Sequence, residues 1–185
     1  MIGVQDLRKG ATFIEENELW RVLEYSHIKT GRGNATIRVK VRNLRSGGTM
    51  EKTYPSGSRV QDVRLDHAVV QYLYHDGDLY FFMNTETYEQ PAINAKTLGD
   101  AVNYLTDGMS LELESYDGEP INIELPTTVD LEVIQTDPGY AGDTATNANK
   151  PARVPTGLLV QVPLFVSEGD VIRIDTRTGQ YLTRV

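Results

Sequence analysis

Apolar and polar residues alternate over residues 34–44, and this pattern predicts a half-buried β-strand. One side of the strand carries the apolar residues Ala35, Ile37, Val39 and Val41, and the other carries Thr36, Arg38, Lys40 and Arg42. Residues 19–25 have the composition of a second strand. The segment 29–34, Lys-Thr-Gly-Arg-Gly-Asn, lies between them and is rich in glycine, so a hairpin with this segment at its tip is predicted.

Short strand patterns separated by turn residues continue along most of the chain. Further strands are predicted at residues 69–74, 79–83, 110–116, 121–125, 129–135, 157–162 and 171–175. Turn residues such as Asp-Gly at 76–77 and 117–118 separate several of them. Regular spacing of short strands and turns is typical of β-barrels and sandwiches. We therefore expect an all-β fold, with residues 137–151 forming a long polar loop.

One segment has a different period. Over residues 95–105 the apolar side chains follow the i, i+3, i+4, i+7 spacing of a helix, at Leu98, Ala101, Val102 and Leu105. This spacing predicts one short amphipathic helix, and Gly108 is placed to end it.

The net charge of −8 is distributed unevenly along the 185 residues. Residues 1–64 hold 12 lysines and arginines against 7 acidic residues, a net charge of +5. Residues 65–126 hold 1 against 12, a net of −11, and residues 127–185 hold 5 against 7, a net of −2. The charge change near residue 64 and the Pro-Thr-Thr at 126–128 predict domains at 1–64, 65–126 and 127–185. If the partner is RNA, contact should be led by the basic first part.

The sequence offers little support for catalysis. It contains no cysteine, its three histidines are scattered without metal-ligand spacing, and it has no nucleophile-elbow or phosphate-loop motif. No apolar run approaches the ~20 residues that span a bilayer, and the first residues lack the apolar stretch of a secretory signal. We expect a cytoplasmic protein that is not an enzyme and has no cofactor, no metal site and no membrane partner.

Three places could contact nucleic acid. At the hairpin tip, Gly31 and Gly33 allow close approach to another surface, and the Arg32 guanidinium between them can bind phosphate or stack on a base. Lys29 lies on the shoulder of this hairpin. The other two places are the polar loop around Gly142, Asp143 and Thr144, and the C-terminal pair Tyr181 and Arg184. Each also has an ordinary structural explanation, namely a solvated hairpin, a turn cap and a barrel edge, which the residues alone leave open.

The C-terminal third carries a long pattern of motifs with fixed spacing. Its parts are Lys150-Pro151-Ala152, Thr156-Gly157, Val162-Pro163-Leu164-Phe165-Val166, Gly169-Asp170, Ile174-Asp175-Thr176-Arg177-Thr178-Gly179 and Tyr181. With the Asp-Leu-Arg-Lys-Gly at 6–10 and the Met-Asn-Thr-Glu-Thr-Tyr-Glu-Gln at 83–90, the whole chain resembles the bacterial elongation factor P family.

That resemblance implies an N-terminal SH3-like, KOW-type barrel followed by two OB-fold barrels, arranged in an L. It implies binding to the 70S ribosome and its rRNA between the P and E sites. It also implies contact with the P-site peptidyl-tRNA and stimulation of peptide-bond formation at consecutive prolines, without covalent chemistry. The tip at Arg32 would approach the peptidyl-transferase centre, with Arg38, Lys40 and Arg42 against tRNA. The Gly-Asp-Thr loop, Tyr181 and Arg184 would meet RNA near the small subunit.

The tip departs from the commonest pattern of the family, in which a modified lysine occupies this position. Here the aligned residue is Arg32, with Asn34 two residues beyond it, so the chain is of an arginine-tip type. A modifying enzyme that acts on Arg32 is a further candidate partner, although the flanking Gly31 and Gly33 differ from those of rhamnosylated members. Two alternatives stay open: the elongation factor P-like paralogues, and a general single-strand-binding OB protein. The acidic middle part counts against the second, since such a groove should be basic.

Overall fold

A computed structural model describes residues 1–29, 31, 33, 35–139 and 148–185. β-strands dominate these residues, so the predicted all-β class is confirmed.

The first part forms a six-stranded sheet in the order β1-β6-β2-β3-β4-β5. Its strands are β1 (Ile2–Gly3), β2 (Thr12–Glu15), β3 (Glu18–Ile28), β4 (Thr36–Asn43), β5 (Thr49–Pro55) and β6 (Arg59–Asp62), with a 3₁₀ turn at Val4–Asp6. The predicted alternation in β4 is confirmed, because Ile37, Val39 and Val41 are fully buried whereas Arg38 and Lys40 are exposed. The sheet closes over a core that includes Leu7, Phe13 and Trp20.

The second part forms a five-stranded sheet in the order β11-β10-β7-β8-β9. Its elements are β7 (Asp66–Asp76), β8 (Leu79–Asn84), β9 (Ala92–Asn94), α1 (Ala95–Leu98), a 3₁₀ helix (Gly99–Tyr104), β10 (Ser110–Tyr116) and β11 (Glu119–Glu124). The predicted helix is present, but it is shorter than residues 95–105. Its α-helical turn stops at Leu98, because Gly99 adopts a φ of 59° and the chain continues as 3₁₀ helix.

The third part contains two three-stranded sheets, β12-β16-β17 and β13-β14-β15. Its strands are β12 (Thr128–Glu132), β13 (Gln135–Thr136), β14 (Asn149–Arg153), β15 (Leu159–Pro163), β16 (Val171–Asp175) and β17 (Tyr181–Arg184). Both sheets pack on one core that includes Val133, Val160 and Ile172.

Two details of the third part differ from expectation. The single strand predicted at 129–135 is two strands, β12 and β13. The Val133 N–H donates to the Asp170 carbonyl, next to β16 of one sheet, whereas the Ile134 N–H donates to the Arg153 carbonyl in β14 of the other sheet. The chain thus moves from one sheet to the other without breaking its apolar alternation. The polar loop predicted at 137–151 ends earlier, since Asn149 already pairs with Pro163.

Packed contacts join the three parts. Leu19 and Leu44 of the first part share a small apolar cluster with Ile121 of the second. At the other junction, Tyr104 of the 3₁₀ helix belongs to the core of the third part, and the Thr156 hydroxyl donates to the Asn103 carbonyl at 2.7 Å. These contacts hold the three parts, and the candidate RNA-binding residues on them, in defined relative positions.

Among the described residues, no helix is long and apolar enough to cross a membrane.

Candidate nucleic-acid interface

The β3–β4 hairpin holds the first candidate site. Its ladder runs as far as the pair Ile28 and Thr36, and Lys29, Gly31 and Gly33 beyond it are exposed. A Cβ placed on Gly31 would have no described atom within 4 Å. Arg32 itself lies outside the described residues. The flanks of the tip therefore extend from the barrel into open space, which is the geometry that a reaching side chain requires.

Arg38 and Lys40 form the open basic surface of β4. The Arg38 Nε lies 3.2 Å from a Glu51 oxygen, and the Lys40 Nζ lies 3.3 Å from a Glu24 oxygen. All four side chains are at least half exposed, so water and salt screen both pairs. Pairs of this kind contribute about 0–1 kcal/mol, and a phosphate can displace the carboxylate at small cost.

Arg42, the third basic residue predicted on this face, has a different environment. Its Nη2 donates to the Thr97 carbonyl at 3.2 Å, and the residue is half-buried. Gly47 lies beside the Lys96 carbonyl oxygen, where a Cβ would approach to 2.8 Å. Arg42 thus holds the first part against the start of α1, and its guanidinium is engaged in that junction.

The two C-terminal candidates, Tyr181 and Arg184, also lie in different environments. Tyr181 is half-buried and packs against the core of the third part. The Arg184 guanidinium instead lies over the ring of Phe165, 5.2 Å from its centroid, and its Nη1 is 3.4 Å from Asp170 Oδ2. The aromatic partner of Arg184 is therefore Phe165, a residue that the sequence singled out only as part of the family pattern. The signal that could have identified it is a large aromatic residue in a turn just after a strand.

Asp170 places a carboxylate beside the Arg184 guanidinium. The Ser167 backbone N–H bond lowers the pKa of the Asp170 carboxyl, and the nearby Arg184 and Lys150 lower it further. The carboxylate therefore stays ionised to a lower pH than an ordinary aspartate and attracts the guanidinium.

The polar loop begins beside the same turn. Gly142, Asp143 and Thr144 lie outside the described residues, but the base of their loop is described. Gly139 packs so closely on Leu164 that a Cβ would overlap the Leu164 carbonyl oxygen. Leu164 precedes Phe165, so the chain enters the loop next to the Phe165–Arg184 pair.

One cluster has residue types that could hold a metal ion. Ligand atoms of His67, Glu114 and Glu124 lie within 4.8 Å of one another. However, Glu114 already pairs with Arg21 at 2.7 Å and accepts a hydrogen bond from Asn122 at 3.1 Å. The buried carboxylate is thus satisfied by the protein's own donors, and the arrangement does not favour a cation.

Three family models match the chain in succession. Residues 3–60 match the elongation factor P KOW-like domain, residues 65–123 match the elongation factor P OB domain, and residues 129–184 match the C-terminal domain of elongation factor P. These matches define the class of protein as a translation factor built from a KOW-like domain and OB-type domains.

Full-length relatives agree with the family models. The elongation factor P of Moorella thermoacetica is 46% identical over 184 residues, and that of Pelotomaculum thermopropionicum is 47% identical over 185 residues, each comparison covering 100% of both chains. The chain belongs to the elongation factor P family. It is accordingly a translation elongation factor and not an enzyme, as the sequence predicts. This membership decides against a general single-strand-binding protein.

The fold has a structural relative outside bacteria. The eukaryotic translation initiation factor 5A from Methanococcus jannaschii aligns with a TM-score of 0.53 at 22% identity, covering 64% of this chain and 88% of that chain. At this identity the likeness concerns the fold alone.

Proposed function

We propose that this chain binds the 70S ribosome and its rRNA between the P and E sites, contacts the P-site peptidyl-tRNA and stimulates peptide-bond formation at consecutive prolines. Family membership implies the ribosome as partner. The observation that carries the finer proposal is the β3–β4 hairpin, in which the exposed Gly31 and Gly33 lie beyond the end of the ladder that carries Arg38 and Lys40. This hairpin belongs to the basic part of an otherwise acidic chain, so it is the part best suited to approach tRNA phosphates.

The mechanism we propose is positional. Proline's ring fixes one backbone dihedral and thereby restricts both the nascent chain and the attacking amine. A factor that orders the end of the peptidyl-tRNA lowers the activation barrier by orientation. Reacting groups that are already aligned lose less translational and rotational entropy on reaching the transition state. The reacting groups belong to the ribosome and its substrates.

Within this proposal each site residue has a role. Arg32 is the group nearest the peptidyl-transferase centre. Gly31 and Gly33 flank it at the tip, and Lys29 on the shoulder of the hairpin adds positive charge. Arg32 is also the residue on which a modifying enzyme would act in an arginine-tip type of factor. Arg38 and Lys40 contact tRNA phosphate, and Arg42 orients the hairpin from the junction. Gly142, Asp143 and Thr144, with Arg184 and the half-buried Tyr181, form the RNA-facing end of the third domain.

The proposal also includes the architecture predicted from the sequence. The domains are residues 1–64, 65–126 and 127–185, arranged in an L, and the factor acts in the cytoplasm. The gap between the first two family matches, at residues 61–64, and that between the last two, at 124–128, support the two boundaries.

Reconstituted translation tests the function directly. Synthesis of a peptide containing three consecutive prolines should accelerate on the order of tenfold or more when the factor is added, because orientation can supply that much of the barrier. A proline-free peptide should be made at the same rate with and without the factor. Equal acceleration of both peptides, or of neither, would contradict the proposed role.

The RNA-facing end of the third domain has a separate test. Arg184→Ala should weaken association with ribosomes about 3- to 10-fold at moderate salt, as expected for loss of one charged RNA contact. Asp143→Ala tests the neighbouring loop in the same assay. Arg173→Ala is the matched control, because both arms of the Arg173 fork are already bonded to Asp130, at 2.8 and 2.9 Å. If neither Arg184→Ala nor Asp143→Ala changes the affinity, this surface is not the RNA contact.

A further inference from the structure

Phe165 is an exposed aromatic residue. It is 59% exposed, and among the described aromatic residues only Tyr74 and Tyr88 are also exposed. It lies in a tight turn closed by the Val166 N–H bond to the Pro163 carbonyl at 3.1 Å. A second turn follows at once, where the Ser167 N–H bonds to Asp170 Oδ2 at 2.9 Å and the Asp170 N–H bonds to the Ser167 carbonyl at 3.1 Å. The ring is therefore held in solvent by a braced backbone.

The cation over the ring is held as well. Arg184 ends β17, where it pairs with Ile172 of β16, and Asp170 lies within 3.4 Å of its Nη1. The single long bond to Asp170 leaves most of the five guanidinium N–H donors available. The flat ring of Phe165 and the planar guanidinium of Arg184, which has hydrogen-bond donors to spare, thus lie side by side on the surface.

This combination matches the chemistry of an unpaired nucleotide. A base stacks on an aromatic ring irrespective of its identity, and the adjacent phosphate takes bidentate hydrogen bonds from a guanidinium. An aliphatic protein side chain would use the apolar face but would leave the guanidinium donors without an acceptor.

We infer that Phe165 is a stacking platform for an unpaired RNA base, with Arg184 placed to bind the phosphate of the same nucleotide. The inference rests on the proposed ribosome binding and adds to it Phe165, in place of Tyr181, as the ring beside Arg184 on which a base stacks.

Ribosome-binding measurements on the full chain test the inference with a substitution series. Phe165→Ala and Phe165→Leu should each weaken binding about 5- to 100-fold, because both remove the aromatic face on which a base stacks. Phe165→Tyr should bind within about twofold of the wild type, since its ring stacks equally well. Leu159→Ala is the matched control: Leu159 is 56% exposed at the other end of β15, and its loss should leave affinity unchanged.

Crosslinking identifies what contacts the ring. A photoreactive phenylalanine analogue at position 165 should form crosslinks to RNA in the ribosome complex. Crosslinks to ribosomal protein alone, or full binding by Phe165→Leu, would show an apolar protein contact and overturn the inference. Thermal unfolding of each variant near the wild-type temperature excludes a folding defect, which an exposed turn residue should not cause.

The inference and the proposed function fail in different ways. If the wild type binds ribosomes and Phe165→Ala binds equally well, only the stacking platform is wrong. If the wild type does not bind ribosomes at all, the proposed function is wrong and the platform falls with it.

Discussion

Replacing Arg21 by alanine should lower the free energy of unfolding by about 2–3 kcal/mol, a large effect for one polar substitution. Arg21 on β3 reaches across to Glu114 on β10, with 2.7 Å between Nη2 and Oε1. The Glu114 side chain is only 8% exposed, so without Arg21 its charge would stay buried and lose its counterion. Breaking a buried ion pair usually costs about 3–5 kcal/mol. We expect a smaller loss here, because Asn122 still donates to the other oxygen of Glu114.

The control for Arg21 is Arg38, which lies in the same barrel and also pairs with a glutamate. The Arg38 and Glu51 side chains are 50% and 58% exposed, so Arg38→Ala should change the free energy of unfolding by no more than about 0.5 kcal/mol. Denaturant unfolding followed by circular dichroism and by fluorescence of Trp20, the only tryptophan, measures both variants. Glu114→Gln in the Arg21→Ala background should recover much of the loss, since it removes the unpaired charge. Equal stability of the two arginine variants would show that this junction does not depend on the ion pair.

The strands with regular alternation were the most predictable elements. β10 and β16 have the bounds that their patterns predict, and β4 buries the predicted face. Periodicity succeeds there because a one-residue shift would expose every apolar side chain. Shorter or polar strands were not predicted, among them β5, whose residues are mostly exposed and so carry no strong period. β13 was hidden because a change of sheet partner leaves no mark on the alternation, and β14 was missed because it begins inside the segment predicted as a polar loop.

Contacts between residues far apart in sequence were outside the reach of pattern reasoning. The exposure of Arg38 and Lys40 follows from their positions in β4, but the engagement of Arg42 depends on Thr97, 55 residues away. The Phe165–Arg184 pair likewise depends on how β17 of one sheet and the turn after β15 of the other come together in the third part. Such contacts are set by how sheets pack, which the local pattern does not encode. The ion pair between Arg21 and Glu114, 93 residues apart, has the same origin.

Arg32→Ala should slow synthesis through consecutive prolines on the order of 10- to 100-fold relative to the wild-type factor, while leaving binding to the ribosome largely intact. The proposed role of Arg32 explains why synthesis should be slowed while ribosome binding is largely kept. In the proposed function, binding draws on many contacts, including those of Arg38, Lys40 and the third domain, whereas positioning at the peptidyl-transferase centre depends on the group that reaches furthest. The flanking Gly31 and Gly33 are exposed, so removal of one side chain at this tip should cost the fold no more than about 0.5 kcal/mol.

The measurement compares a polyproline-containing peptide with a proline-free peptide, each made with wild-type, Arg32→Ala or Lys29→Ala factor. Lys29 is the matched control, because it is an exposed cation on the same hairpin but one residue beyond the end of β3. Its loss should reduce affinity slightly and leave the rate at saturating factor close to that of the wild type. A tip that acts only through its positive charge would make the two variants alike, since each removes one charge from one hairpin. An Arg32→Ala factor that rescues polyproline synthesis as well as the wild type would show that the tip side chain is dispensable, and the positional mechanism would then have to rest on the backbone of the hairpin alone.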